Sequence, residues 1–346
     1  FTMDTVISVD ESTGKDKVEL SGYDNSQKVE IGKYYGSISD GTMRVVYNPN
    51  TSHQWQFFSA KNASITNQFF MDTLGAPNPI SAGNQLWFVK ECFNALGIVG
   101  FFLFLLPFAC LLMKTPFFAG IQQEAPAPRP RPTDTKGKLV SAISLVLLAV
   151  IPGITVMPVF SKLAYGMIFT NAVANNSTDF FPQPGPNAIV IWALVNGLAA
   201  VAIFALGYLI YGKKHGDGPD NWGVKTTWAN VGKSALLAIL VTGVAYGFVL
   251  LADLFFTVDF RFWSFAIRAA EGNILALVPH YLPFMLVFWL ATSFMVNASA
   301  RTECKKEWHN TALCVVVNVI GLVALVVIQF AVLFSTGVAM WYANRA

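Results

Sequence analysis

The chain of 346 residues carries little charge, since Asp, Glu, Lys and Arg make up only 12% of it, about half of the charged fraction of a soluble globular domain. It has four cysteines, and their spacing fits neither a disulfide framework nor a zinc site. It has no phosphate-binding loop and no redox-cofactor motif. Its basic residues lie in short loops and form no basic face, so nucleic-acid binding has no support. These absences exclude a soluble enzyme, and we expect neither a cofactor nor a metal ion.

Long apolar runs are what the sequence has in quantity, and 54% of its residues are hydrophobic. Each run has about 20 residues or more, the length that crosses roughly 30 Å of hydrocarbon. The runs cover residues 92–113, 139–160, 187–211, 234–256, 276–296 and 310–334. The sequence therefore predicts an α-helical polytopic membrane protein with six transmembrane helices. Its membrane domain covers residues 89–346, and the lipid bilayer is its partner.

The loops between the runs alternate in their content of basic residues, which sets the expected orientation. The loops after the first, third and fifth runs hold twelve Lys and Arg residues, whereas the two intervening loops hold three. We therefore expect a multi-pass protein of the plasma membrane, with the basic loops in the cytoplasm and the N-terminal segment outside. The segment 126–132, rich in Pro and Arg, is then a cytoplasmic spacer in a polyproline conformation, with an SH3-type ligand as the alternative. Tryptophans near the ends of the runs, such as Trp87 and Trp263, indicate interfacial positions.

Residues 1–88 differ from the rest because they are rich in Lys, Asp, Glu, Ser and Asn. The local pattern predicts a strand near 42–48, a turn at 48–51 and a helix near 60–74. This order is typical of the tail of an α/β unit, so we expect an outward-facing segment of that class. The chain opens without an initiator Met or a signal peptide, and we expect it to be a fragment of a longer protein.

His53 is the first candidate catalytic residue, because it follows the predicted strand and turn and precedes a helix. The stretches around it that bear on its role are 29–47, Asn50-Thr51-Ser52-His53, Phe58-Ser59, Gly75-Ala76-Pro77-Asn78-Pro79-Ile80 and Asn84-Gln85-Leu86-Trp87. Together they resemble the C-terminal end of α/β-hydrolase-like membrane proteins of Gram-positive bacteria. In that family the last strand leads into a histidine loop and a final helix, and the chain then passes into a multispanning membrane domain. The resemblance covers roughly residues 25 to 115, so residues 1–88 are expected to be the C-terminal remnant of such a domain.

The resemblance implies a serine hydrolase triad in which His53 is the general base that takes the proton of the nucleophile. In such enzymes a Gly-x-Ser-x-Gly elbow and the acid both precede the histidine. This chain contains no such elbow, and none of its early aspartates follows a convincing apolar strand. We expect the nucleophile and the acid on a missing N-terminal portion, which leaves the chain alone catalytically incomplete. The implied reaction is ester or acyl hydrolysis at the outer membrane face, on a small-molecule or lipid-like substrate.

A second group of candidate residues lies around the fourth and fifth runs. Ionisable side chains at membrane depth cost roughly 2.5–3.5 kcal/mol each on insertion scales, so they are functional candidates by default. The members of this group are Asp253, Asp259, Arg261, Arg268, Glu271 and His280. For Asp253 the structural alternative is contact with water or an ion pair with Arg261 that orders the bundle. For His280 the alternative is a hydrogen-bonded packing role.

Three functions are therefore considered. A membrane-anchored hydrolase is favoured because of the sequence around His53. A transporter or channel-like bundle with an extracellular cap is the second hypothesis, supported by the number of runs and by the ionisable group. A noncatalytic membrane scaffold or sensor is the third. We expect the Gly243-x-x-x-Gly247 spacing to serve helix packing inside one bundle, with a homo-oligomer interface as the alternative.

Overall fold

A computed structural model describes residues 5–9, 16–20, 29–49, 51, 53–124, 126–169, 177–263, 265–270, 272–304 and 306–336. For residues 5–9, 16–20, 53 and 54 only the backbone is described. The chain divides into two compact units, one of residues 1–108 and 241–269 and the other of residues 109–240 and 270–346. The expected boundary near residue 88 separates a water-exposed segment from a membrane domain, and it stays a prediction.

The described structure is mostly helical. The α-helices are, in chain order, α1 (Ala60–Leu74), α2 (Trp87–Met113), α3 (Pro116–Ala119), α4 (Thr135–Met157), α5 (Pro184–Ile210), α6 (Pro219–Trp222), α7 (Trp228–Phe256), α8 (Gly272–Ala300) and α9 (Trp308–Thr336). Helix α4 continues as a π-helix, Pro158–Ile168. Six of these helices, α2, α4, α5, α7, α8 and α9, are long and apolar enough to cross a membrane. This confirms the six predicted spans and the polytopic helical class.

The described strands form two short antiparallel hairpins. Strand β1 (Thr5–Val9) pairs with β2 (Asp16–Leu20), and β3 (Phe260–Phe262) pairs with β4 (Phe265–Ile267). Helix α1 confirms the helix predicted over 60–74. The predicted strand near 42–48 is wrong in type, because that stretch folds back on residues 32–37 and makes a single bridge, Tyr35 to Arg44. The described strands therefore give no support to an α/β-hydrolase remnant, whose sheet would be mainly parallel.

The core of the second unit is a bundle of α4, α5, α8 and α9. One buried apolar cluster contains Leu148, Ala149, Ala200, Ile203, Val296 and Val317. Small residues bring the helices close together, as is usual in membranes. A Cβ atom on Gly197 would lie 3.0 Å from the Cα of Phe288 on α8, and one on Gly321 would meet the carbonyl of Ala149 on α4. The backbones of α4 and α9 therefore touch at this crossing.

The Gly243-x-x-x-Gly247 spacing does not serve the packing that we expected. Within the described residues, a Cβ atom on either glycine of α7 would meet no heavy atom within 4 Å. In the same unit α7 contacts α2 through the rings of Phe248 and Phe104, whose centroids are 5.3 Å apart. Aromatic packing, and not a small-residue crossing, joins these two helices.

The close crossing of α4 and α9 generates a prediction about stability. Gly321→Ala should lower the melting temperature of the purified protein in detergent, because the added methyl group collides with the Ala149 carbonyl. Overpacking of this kind costs roughly 1–3 kcal/mol. The fraction of monodisperse protein after heating, read by size-exclusion chromatography, measures the change.

Gly243→Ala is the matched control, since its methyl group enters open space in α7. Alanine also has the higher helix propensity by about 1 kcal/mol, so this variant should melt at or above the wild-type temperature. Equal melting of the two variants would contradict the close crossing.

Candidate functional site

His53 is the first residue of a short 3-10 helix, His53–Phe58, that runs directly into α1. Ser59 caps α1, because its hydroxyl accepts a hydrogen bond from the Asn62 backbone N–H at 3.3 Å. The Asn62 side-chain amide donates to the Thr51 hydroxyl at 3.3 Å and to the Gln56 carbonyl at 3.0 Å. Asn62 thus ties together the chain on both sides of His53.

The Asn62 side chain also holds a buried acceptor. Its Oδ1 atom has no hydrogen-bond partner within the part of the chain that the structure describes. A buried acceptor without a donor costs about 1–3 kcal/mol, so this atom is available to a donor beyond the described side chains. The local geometry therefore fixes the backbone around His53 and leaves Asn62 Oδ1 without a partner among the described side chains.

The segment of residues 29–49, which precedes His53, is held against α1 by a chain of hydrogen bonds made by tyrosine hydroxyl groups. Tyr47 donates to the Tyr34 hydroxyl at 3.1 Å, and Tyr34 donates to Asp72 Oδ2 of α1 at 2.7 Å. The hydrogen bond with Tyr47, and then the one with Asp72, raises the pKa of Tyr34 above its usual range. Gln68 donates to the other Asp72 oxygen at 2.7 Å. These bonds set the position of the segment that leads to His53.

Aromatic rings dock the helix of His53 onto the hairpin that follows α7. Trp55 stacks on Trp263, with ring centroids 4.5 Å apart and an interplanar angle of 12°. Phe58 packs against Phe262 at 5.0 Å and against Trp87, the first residue of α2, at 5.3 Å. Trp263 lies at the turn with a positive φ of 55°, an outlier for a bulky residue that surrounding contacts must hold. We call Trp55, Phe58, Trp87, Phe262 and Trp263 the aromatic cluster.

Of the six ionisable residues predicted around the fourth and fifth runs, the structure brings together Asp259, Arg261 and Arg268. Arg261 Nη2 lies 2.5 Å and Arg268 Nε 3.5 Å from Asp259 Oδ2, so one carboxylate faces two guanidinium groups. Asp253 lies exposed in the last turn of α7, and the ion pair recorded for Arg261 is with Asp259. Glu271 lies outside the described residues.

His280 belongs to the second unit and has a packing environment. Its Nδ1 donates to the Phe180 carbonyl at 2.7 Å, and its ring stacks on the ring of Phe180 at 4.2 Å. The next residue, Tyr281, donates to the buried Asn187 Oδ1 at 2.9 Å. Within the described ranges, no group of three His, Cys, Asp or Glu side chains is placed to hold a metal ion.

An ion pair that the sequence did not single out lies in the second unit. Arg129 Nη1 is 3.2 Å from Asp217 Oδ2, and the two side chains are only 15% and 6% exposed. Arg129 also donates to the Ser299 carbonyl at 3.0 Å, and Trp222 donates to Asp217 Oδ1 at 2.6 Å. The flanking prolines of Arg129 suggested a spacer, and only the glycines beside Asp217 hinted at a tight turn there.

The same ion pair corrects the interpretation of the Pro-Arg segment. The Arg129 backbone N–H donates to the Arg301 carbonyl, and the Glu303 N–H donates to the Arg129 carbonyl at 3.1 Å. With its backbone paired and its side chain buried, Arg129 is not free to bind an SH3-type domain. The segment bridges the loops after the first, third and fifth spans within this unit. These are the loops that the charge pattern assigns to one side of the membrane.

Breaking this pair should destabilise the protein. Arg129→Ala leaves the Asp217 carboxylate buried with half of its partners, and the loss of one member of a buried pair costs roughly 3–5 kcal/mol. We expect a melting temperature well below that of the wild type in detergent, measured by loss of monodisperse protein on heating.

Lys225→Ala is the matched control for Arg129→Ala. It removes an ion pair with Asp220 in which both side chains are mostly exposed. Exposed pairs contribute about 0–1 kcal/mol, so its melting temperature should stay near the wild-type value. An Arg129→Ala variant as stable as Lys225→Ala would show that the Arg129 bridge does not hold these loops.

Comparisons with known proteins found no relative of this chain. No protein-family model matches the chain, and no curated protein or solved structure matches it. A functional assignment must therefore start from the residues around His53 and from the contacts that position them.

Proposed function

We propose that this chain is the membrane-anchored part of a serine hydrolase that cleaves ester or acyl bonds, and that His53 is its general base. The observation that carries the proposal is the order of elements around His53. A non-helical segment of residues 29–49 comes before a short helix that begins at His53, and one residue separates the end of that helix from the start of α1. This is the order in which a histidine loop precedes a final helix in the family that the sequence resembles.

The proposed chemistry assigns one role to this chain. A serine oxygen attacks the carbonyl carbon of the substrate while His53 accepts the serine proton. His53 then gives the proton to the alcohol as the C–O bond of the ester breaks, and water later releases the acid from the acyl-enzyme. The sequence has no Gly-x-Ser-x-Gly elbow, so the proposal assigns neither nucleophile nor acid within it.

We further propose that residues 1–88 face outward from a plasma membrane. The alternation of basic loops supports this orientation. The bridge made by Arg129 also supports it, because it joins the three loops that would lie together in the cytoplasm. The outward side is then the side of the helix that begins at His53.

The described spans give less support to ion or proton transport. The buried polar residues within the described spans are Asn187, Asn196, Thr292, Ser299 and Asn310. All of them are neutral, whereas relays for ions and protons use buried ionisable groups. Asp253, the residue that favoured transport, is exposed at the end of α7.

Active-site labelling tests the proposed function. The protein is produced from its complete gene, reconstituted in detergent and treated with a fluorophosphonate probe, which reacts with activated serines. His53→Ala should lower the labelling rate by at least roughly 10³-fold, because the serine loses its general base. In-gel fluorescence against time measures the rate.

His309→Ala is the control, since His309 is an exposed histidine of α9 in the second unit. It should label at the wild-type rate. Elution of both variants at the wild-type position in size-exclusion chromatography excludes misfolding as the cause. Undiminished labelling of His53→Ala, or no labelling of the wild type, would sink the assignment.

A further inference from the structure

The proposed catalytic base is close in the chain to a residue docked at the end of a span. His53 and Trp55 are two residues apart, so their Cα atoms lie at most about 7.6 Å from each other. Trp55 stacks on Trp263, in the hairpin that follows α7 by only a few residues. Phe58, at the other end of the same short helix, contacts the first residue of α2. The helix of His53 therefore lies beside the ends of two spans, α2 and α7, within one unit.

Several residues that neighbour the aromatic cluster in the chain are apolar and exposed. Leu86, which precedes Trp87, is 77% exposed, and Phe265, two residues after Trp263, is 69% exposed. Phe255 and Phe256, in the last turn of α7, are 70% and 74% exposed. These residues adjoin α2 and α7 in the chain, and both helices are apolar enough to be embedded in lipid. Indole rings at the ends of spans are typical of the lipid headgroup level.

We propose that the site takes its substrate from the membrane surface, and that the substrate is an amphiphilic ester whose acyl chain stays in the bilayer. The inference rests on the proposed function and adds the class of substrate. An ester group of a lipid lies at the headgroup level, which is the level of the aromatic cluster. Such a substrate reaches His53 without leaving the membrane, whereas a water-soluble ester gains nothing from this position.

The reaction balances as an ordinary hydrolysis. The bond between the acyl carbon and the alkoxy oxygen of the lipid breaks, and the serine oxygen forms the new acyl bond. The proton passes through His53 to the departing alcohol, and water then supplies the hydroxyl group of the released fatty acid. The products are one fatty acid and one alcohol, with no oxidant or reductant involved.

Surface-dilution kinetics test this inference. The protein from the complete gene is reconstituted in vesicles of ether-linked phosphatidylcholine, which it cannot hydrolyse. A long-chain fluorogenic diacylglycerol ester is incorporated into the vesicles, and a butyryl ester of the same fluorophore is dissolved in the buffer. We expect kcat/KM for the vesicle ester to be at least about tenfold higher. We also expect its rate to fall in proportion when more ether lipid dilutes it at a constant bulk concentration.

Trp263→Ala asks whether docking of the His53 helix matters. Removal of the stack with Trp55 should lower the rate on the vesicle ester more than the rate on the butyryl ester. Trp228→Ala is the matched control, because Trp228 is 89% exposed at the start of α7 in the other unit. It should leave both rates unchanged.

Four results would overturn the inference. Suppose that fluorophosphonate labelling depends on His53. A higher kcat/KM for the butyryl ester then overturns the inference and leaves the proposed function standing, and so does a rate that is independent of surface dilution. Equal losses on both esters in Trp263→Ala contradict the role of the docked position. Absence of labelling overturns the proposed function and this inference together.

Discussion

Hydrocarbon offers no hydrogen bonds to the backbone, and the rest of this structure depends on that constraint. A chain that crosses a bilayer must satisfy its N–H and C=O groups internally, and the described part of this chain has six apolar helices long enough to do so. Polar side chains buried among them must find partners too. Asn196 exchanges hydrogen bonds with Thr155 at 3.0–3.1 Å, and Trp192 donates to the Pro152 carbonyl at 3.1 Å. Charged side chains therefore lie at the ends of the spans, where charge and water are tolerated.

The two kinds of span end are held by different physics. In the second unit a buried ion pair, Arg129 with Asp217, joins loops that would repel one another through their excess of Lys and Arg. In the first unit stacked rings, Trp55 on Trp263, join a polar segment to the hairpin that follows α7. A buried pair tolerates little movement, because separating the charges leaves each one desolvated. Ring stacking is less costly to break, which suits the proposed access of an apolar substrate to this surface.

What the sequence predicted follows from which signals are local. The six spans follow from length and hydropathy, and α1 from its cap and its terminating Gly75, so the bounds of these α-helices were predictable to within about six residues. The strand near 42–48 was wrong because alternation looks the same in a hairpin loop, although Gly36 and Gly41, both at positive φ, mark its turns. The Arg129 bridge and the Trp55 stack join residues far apart in the chain. They leave no periodic trace, so a single sequence could not predict them.

The aromatic cluster does more than anchor the chain at the membrane interface, because it also positions the short helix that begins at His53. Tryptophans near span ends are expected in any membrane protein, and Trp87 alone would need no further explanation. Trp55 is different. It belongs to the polar segment, two residues after the proposed base, and yet it stacks on Trp263 of the hairpin that follows α7. If the segment were only a cap, a flexible tether to α2 would suffice. The hydrogen bond from Tyr34 to α1, the Asn62 bonds across the loop and the stacked indoles together hold one short helix beside the ends of α2 and α7. A fixed position at the span ends is what the proposed cleavage of an ester at the membrane surface requires.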